Sequence, residues 1–511
     1  MTKNNAPQQS VLARTARGAG WVIGWRMTTR LIGMASTLIL ARLLVPADFG
    51  LVALANIFAG TVEAFSTVGV EQALIRAPCP DRDLYDTGFT INLLRGLLTA
   101  ALIALFAHPL AAFYGDLRLA PLLYLLAAAT AADGLENIGI IDFRRNLTFD
   151  KEFRLKVFPR LLSVVVTIAC ALAWRSYWAL MAGILAGRLF LLAQGYVMHP
   201  FRPRISLRRW REIAAYSFWV WLTALVWTIH DRVGNLAIGR VVGPASLGVF
   251  MIGGEVAGLP SSELVLPLTR ACFPGFAAIR QEGGNSGKAF LRIVGVMMVL
   301  SLPAGIGLAL VAAPLIRLGF GAQWMAAVPV MRILALAGTL GVFASIGSTL
   351  LSAHAHLRPL FLLSLGSVVV KLPLLVVLGE RYNIVGVAVA VGATTIGEHL
   401  VNIGIVMRRY RISFAALAGA VWRPVLATAA MAAVLGLSGL GWSAPPAPAG
   451  PLAAALFAAA ALGALVYGAA LFALWAGCGK PAGAEVDVLD LAARMFGRLR
   501  GLLPRLTAAR R

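Results

Sequence analysis

Residues Arg42–Gly50 read RLLVPADFG, and residues Arg240–Gly248 read RVVGPASLG. Both fit R-x-x-x-P-A-x-x-G, and each is a short connection between two long apolar stretches. The local chemistry of the motif is simple: proline halts one helix or opens the next, and glycine gives the turn room. The first copy joins apolar stretches one and two, and the second joins stretches seven and eight. With six helices between the copies, the two halves of the chain share one orientation and are related by an axis along the membrane normal. Paired helical bundles of this kind let secondary transporters enclose a central cavity and rock around it. Two unrelated helix-turn signals are the plainer alternative.

Working outward from the motif, about fourteen stretches reach the roughly 20 apolar residues needed to cross a bilayer. They lie near 19–42, 49–75, 88–112, 119–141, 158–174, 177–198, 213–239, 246–271, 290–316, 327–352, 358–379, 384–407, 416–440 and 451–476. The composition agrees. Of 511 residues, 59% are hydrophobic and 13% charged, about half the charge that a water-facing surface carries. A secreted enzyme, a soluble nucleic-acid binder and a disordered scaffold are excluded. Residues 1–18 are polar and contain no short apolar core before a cleavage site, so the first span is expected to be an uncleaved helix. The four cysteines, Cys79, Cys170, Cys272 and Cys478, are too far apart in sequence for a metal knuckle or a disulfide framework.

The net charge of +23 sits on one side of the membrane. With the N-terminus placed in the cytoplasm, the cytoplasmic connections collect about thirty-one of the 45 Lys and Arg residues, and the opposite connections about six. The richest are Asp142–Arg160 and His199–Arg211, whereas Gly441–Gly450 (GWSAPPAPAG) carries no charge. Both termini are therefore expected inside. The basic excess faces anionic headgroups, so no nucleic-acid partner is expected. In the tail, Val488, Leu491, Met495, Leu499, Leu502 and Leu506 recur at helical spacing with Arg494, Arg498 and Arg505 off the stripe. That pattern suits an interfacial helix or a solvated basic tail.

Leu38–Ala55 (LILARLLVPADFGLVALA) and Glu71–Arg76 (EQALIR) resemble the opening signature of polysaccharide-type flippases in the multidrug/oligosaccharidyl-lipid/polysaccharide (MOP) exporter superfamily. Arg144–Lys156 (RRNLTFDKEFRLK) is similar to the loop after the fourth helix in its Wzx-type, lipopolysaccharide-biosynthesis members. The resemblance implies an all-α integral membrane protein with two six-helix bundles in a V-shaped arrangement, plus two C-terminal helices. It also implies translocation of undecaprenyl-diphosphate-linked oligosaccharides from the cytoplasmic to the periplasmic leaflet, beside a polysaccharide polymerase and chain-length machinery. On that plan residues 1–18 are a cytoplasmic segment and 19–198 the first bundle. Residues 199–212 form a basic linker, 213–407 the second bundle, 416–476 the additional helix pair and 477–511 the basic cytoplasmic tail.

Charges left inside spans are the informative residues, because each costs about 2.5–3.5 kcal/mol at mid-bilayer unless it faces a cavity or a partner. Arg26 and Arg30 are i,i+4 on the first helix, and Asn92, Arg95 and Thr99 share a stripe on the third. Thr228, Asp231 and Asn235 share another on the seventh, beside His230 and Arg232. Arg332, Lys371 and Glu398 follow, with Ser367 and Asn402 on the same stripes as the last two. Guanidinium forks suit phosphate oxygens and amides suit sugar hydroxyls. Arg26, Arg30, Arg95, Arg332, Lys371, Asn92 and Asn235 are therefore the candidate cargo-binding residues. Glu63, Asp231, Glu255, Glu398 and His230 are the candidates for coupling to a proton or sodium gradient. An interhelical ion pair such as Arg30 with Glu63 is the bland alternative, and Arg26 and Arg188 are placed to snorkel to the interface.

No P-loop occurs and no cofactor or metal is expected; a coupling ion is the one small partner implied. His354 and His356, near the end of the tenth span, have the look of a pH-sensitive pair, with a solvated loop edge as the plainer reading. Other exporters of the same superfamily, for the peptidoglycan lipid precursor or for drug-like cations, are the nearest alternatives. A cation exporter would line its lumen with net carboxylate. A membrane glycosyltransferase or polymerase would need acidic or histidine-bearing outer loops, and the outer loops here are short.

Overall fold

The computed structural model describes residues 5–66, 69–77, 80–212, 228, 232–442, 448–481 and 483–488. Every regular element among them is helical. The chain divides into two compact units, Met1–Gly248 and Val249–Arg511.

Unit 1 begins with α1 (Asn5–Leu43), a single helix of 39 residues. At 1.5 Å per residue it is about 58 Å long, so the polar segment before the first expected span continues the same helix. Pro46 opens α2 (Pro46–Phe65) at its first turn, as the sequence motif demands. The short α3 (Val70–Arg76) leads to α4 (Arg82–Tyr114), which Asp81 caps by accepting the Leu84 N–H at 3.0 Å. Next come α5 (Leu119–Asp133), α6 (Ile141–Arg145), α7 (Phe149–Trp174) and α8 (Trp178–Met198). α4 packs on α5, α7 on α8 and α1 on α7. The expected span 119–141 is bent by 67° between α5 and the segment Ile138–Arg145. Buried Asn137 sits in the bend, and its side-chain oxygen accepts the Gly139 N–H at 3.0 Å.

The segment after α8 is tied back to unit 1. Asn137 Nδ2 donates to the carbonyls of His199 (3.3 Å) and Phe201 (2.9 Å). Asp86 accepts the Arg204 N–H at 2.8 Å, and Thr90 accepts that of Ser206 at 2.9 Å. The basic linker is thus a strap stitched along the first turns of α4. The second motif also belongs to unit 1 as far as Gly248, in the first turns of α9 (Gly243–Ala257). There the two motif glycines meet. A Cβ on Gly50 would overlap the Pro244 carbonyl, and one on Gly248 would overlap the Pro46 carbonyl. The contact is reciprocal, motif against motif.

Unit 2 continues α9 into α10 (Leu266–Gln281), α11 (Ser286–Leu310), α12 (Ala312–Gly319), α13 (Ala327–Thr339) and α14 (Gly341–Ala353). Its core gathers Phe276, Phe290, Val294, Met298, Ile346 and Leu350, all nearly inaccessible. α15 (Leu357–Tyr410) consists of two helical arms joined by a kink at Asn383, whose φ of 50° and ψ of −137° are not helical. Asparagine tolerates positive φ better than most residues. Gly386 completes the turn, because a Cβ there would overlap the Leu378 carbonyl. The result is two arms folded against each other. α16 (Phe414–Leu437) and α17 (Ala449–Gly477) pack together and form the additional pair.

Among the described residues, eight helices are long and apolar enough to cross a membrane, or eleven if each of three sharply bent pairs is one span. Large apolar side chains such as Leu105, Val165, Val370 and Phe457 lie open on their faces, as lipid contact requires. This is a multi-span membrane protein. The expected figure of about fourteen is not reached by that count for local reasons. α1, which carries the first expected span, is not among those counted, α15 counts once despite its break, and the seventh stretch, 213–239, lies mostly outside the described residues, as do 489–511 of the tail.

Candidate functional site

Among the described residues, unit 1 holds an intramembrane charge cluster around a residue that the sequence reading set aside. Arg188 is the eleventh of the 21 residues of α8, its centre rather than its end. Its Nη1 donates to Asp133 Oδ2 at 2.5 Å and to Thr130 Oγ1 at 3.2 Å. Glu63 Oε1 stands 3.4 Å from both terminal nitrogens and also accepts the Thr130 hydroxyl at 3.0 Å. Three helices, α2, α5 and α8, therefore place two carboxylates and a hydroxyl on one guanidinium. Snorkelling does not describe this residue. Arg95 on α4 acts electrostatically on Asp133 and on Glu136, and its Nε is enclosed without a hydrogen-bond partner.

Next to this cluster is a cavity of about 130 Å³ whose polar wall includes Glu71, Asn92, Glu136, Arg144, Glu152 and Lys156. Arg144 bonds Glu71 and donates from Nε to Glu152 Oε1 at 2.6 Å. Tyr85 donates to Asp142, whose other oxygen lies 3.4 Å from His199 Nε2. His199 Nδ1 accepts the Phe201 N–H at 3.2 Å, which needs a bare nitrogen there. Burial accordingly holds the His199 imidazole below its usual range, ahead of the opposing pull of Asp142.

The predicted site residues are distributed as follows. Glu63, Arg95 and Asn92 belong to the cluster or its neighbouring cavity. Arg26 and Arg30 are on α1, exposed, with Arg26 5.6 Å over the Trp25 ring. Asn235 is half-buried in the helical stretch 232–241 of unit 1, where Arg232 donates to the Ile57 carbonyl at 3.4 Å. In unit 2, Arg332 donates to the Trp442 carbonyl and lies 4.3 Å over that indole. Lys371 is half-buried on the first arm of α15, and Glu255 is exposed on α9. Glu398 Oε2 accepts the Ser367 hydroxyl at 2.8 Å across the two arms. His230 and Asp231 lie outside the described residues. Asp133, Thr130 and Glu136 were not singled out from sequence, and Arg188 was read there only as a snorkelling residue. Counting Arg188 inward from Trp178 would have placed it at mid-helix.

A sequence profile for polysaccharide biosynthesis proteins matches residues 39–329. The chain belongs to that family. Among curated relatives of this polysaccharide biosynthesis chain is the succinoglycan biosynthesis transport protein ExoT of Rhizobium meliloti (strain 1021). It is 26% identical over 330 residues, covering 64% of this chain and 67% of that protein. Another is the lipopolysaccharide biosynthesis protein WzxC of Escherichia coli (strain K12), 22% identical over 74% of this chain and 78% of that protein. Among solved structures, the lipid II flippase MurJ in an inward closed conformation superposes with a TM-score of 0.70 at 13% identity, covering 89% of this chain and 99% of that one. An inward-facing multidrug resistance MATE family transporter of the MOP superfamily gives 0.58 at 16% identity, over 75% and 94%. The family member described here shares the fold of these MOP exporters and is a multi-span membrane protein of the polysaccharide biosynthesis family.

Proposed function

We propose that this chain is a flippase that carries a polyprenyl-diphosphate-linked oligosaccharide from the cytoplasmic to the outer leaflet of a bacterial inner membrane. In this reading it has about fourteen spans, both termini lie in the cytoplasm, and two six-helix bundles give alternating access. It carries cargo without making or breaking a bond in it, and it hands that cargo to a polymerase and chain-length machinery. The observation that carries the reading is Arg188, a guanidinium held at mid-helix by two carboxylates and a hydroxyl, with Arg95 beside it. Carboxylate and phosphate oxygens compete for the same fork. A diphosphate entering this cluster would exchange places with Glu63 and Asp133, and a proton or cation would settle on the released acids. Asn92 and Asn235 suit sugar hydroxyls.

The test is leaflet translocation of a fluorescent undecaprenyl-diphosphate oligosaccharide in proteoliposomes. Wild type is expected to translocate it, Arg188→Gln to lose most of the rate, and Arg30→Ala to report whether α1 shares the cargo. Unimpaired transport by inserted, folded Arg188→Gln would remove the cluster from the cargo path. No transport by wild type under any gradient, with transport of the peptidoglycan lipid precursor instead, would replace the cargo.

A further inference from the structure

In unit 2 a cavity of about 760 Å³ lies between the two arms of α15. Leu362, Leu363, Val370 and Leu374 form one wall, Val401 and Ile405 the other. Gly366, Ala393 and Gly397 keep the slot open by having little or no side chain. From Arg358 to Leu374 the lined face runs about 24 Å at 1.5 Å per residue, most of a hydrocarbon core of roughly 30 Å. Leu362, Val370 and Val401 are more than half exposed, so among the described residues nothing covers this face. Among the lining residues Glu398 is the one carboxylate, and Ser367 already donates to it.

The slot has a charged end. Arg358, the second residue of α15, lines it there, and Arg409, the last residue but one of the opposite arm, lies four residues past Ile405. Arg409 Nη2 lies 3.2 Å from His356 Nδ1. Arg280 reaches the same corner, donating to the Ala353 carbonyl at 3.3 Å, and His354 stacks on His356 with centroids 6.3 Å apart. After burial, the groups that push the His356 imidazole down are Arg409, His354 and Arg280, with no acid opposing them. The apolar slot therefore ends at Arg358, two residues from His356, which Arg409 contacts from the opposite arm.

We infer that the α15 slot binds the polyprenyl diphosphate end of the cargo, the prenyl chain lying between the arms and the diphosphate on Arg358 and Arg409. The inference rests on the cargo being a polyprenyl-diphosphate lipid. One slot between two helices takes one chain, which suits a polyprenyl lipid rather than a two-chain phospholipid, and two guanidiniums suit a diphosphate. Arg188 in unit 1 and this slot would then engage the cargo at different points of its passage.

Native mass spectrometry of the purified full chain tests this, with undecaprenyl monophosphate and phosphatidylglycerol offered together at equal concentration. Wild type is expected to retain the prenyl lipid in preference. Gly397→Phe fills the slot and is expected to cut that retention about tenfold, as removal of one well-buried apolar contact does. Arg358→Gln with Arg409→Gln should also cut it about tenfold through lost charge-assisted hydrogen bonds. Val401→Trp, at an exposed lip, serves if Gly397→Phe does not fold. Equal retention of phosphatidylglycerol, or undiminished prenyl retention by a folded filled variant, overturns the slot. Translocation by that variant at the wild-type rate overturns the slot and leaves the flippase standing. A wild type that neither binds undecaprenyl phosphate nor translocates the oligosaccharide overturns both.

Discussion

Arg188, Glu63 and Asp133 keep between 24 and 35% of their side chains accessible, so they form a half-buried cluster rather than a sealed one. Removing one partner from a fully buried pair costs about 3–5 kcal/mol; here Arg188→Ala is expected to cost about 2 kcal/mol, read as a lowered melting temperature in detergent. Arg188→Lys keeps the charge and loses the fork, and it should recover stability better than transport. His199 supplies a pH signature. Its folded value lies below the ordinary 6.5, so below pH 6.5 the unfolded chain binds the extra proton more readily than the fold does. Stability should rise with pH through that window and fall as the pH drops below it, since protonating Nδ1 removes the acceptor of the Phe201 N–H. His199→Gln should flatten the dependence; an unchanged slope would assign the effect elsewhere. Sequence reading found Glu63, Arg95 and Asn92 because stripes at helical spacing are visible in one dimension. It passed over Arg188 and Asp133 because what makes them a cluster is the convergence of α2, α5 and α8.

At the scale of elements, apolar length was legible and breaks were not. The stretches 416–440 and 451–476 correspond closely to α16 and α17, since nothing interrupts them. The stretch 119–141 hid a 67° bend because Asn137 is short and polar enough to cap a new turn within an otherwise apolar run. The two stretches 358–379 and 384–407 are the two arms of α15, and their turn depends on Asn383 and Gly386. Gly386→Val should destabilise unit 2 by roughly 1–3 kcal/mol through backbone overlap with Leu378, whereas Asn383→Gly should be tolerated. Limited proteolysis at the turn would read both; equal resistance of Gly386→Val and wild type would mean that the arms are held by their walls alone.

For the whole molecule, the lopsided count of Lys and Arg remains the strongest statement that the sequence makes about orientation. Reporter fusions check it. A cytoplasm-active reporter at Arg511 should be active, and one inserted between Trp442 and Pro448 inactive, with the reverse result inverting the topology. Fold class and family were legible at this scale because length, hydropathy and the residues Leu38–Ala55 all act along the chain. The cargo slot of α15 was not, because a cavity is a property of two surfaces.

The reciprocal seat of Gly50 and Gly248 has a consequence for how this sequence can drift. Each glycine occupies the space that a side chain on the other's helix would need, with Pro46 and Pro244 presenting the backbone oxygens that enforce it. A mutation at one position cannot be repaired by shrinking the other, since neither has anything left to lose. The two positions are therefore a frozen pair, preserved together or abandoned together with the crossing that they permit.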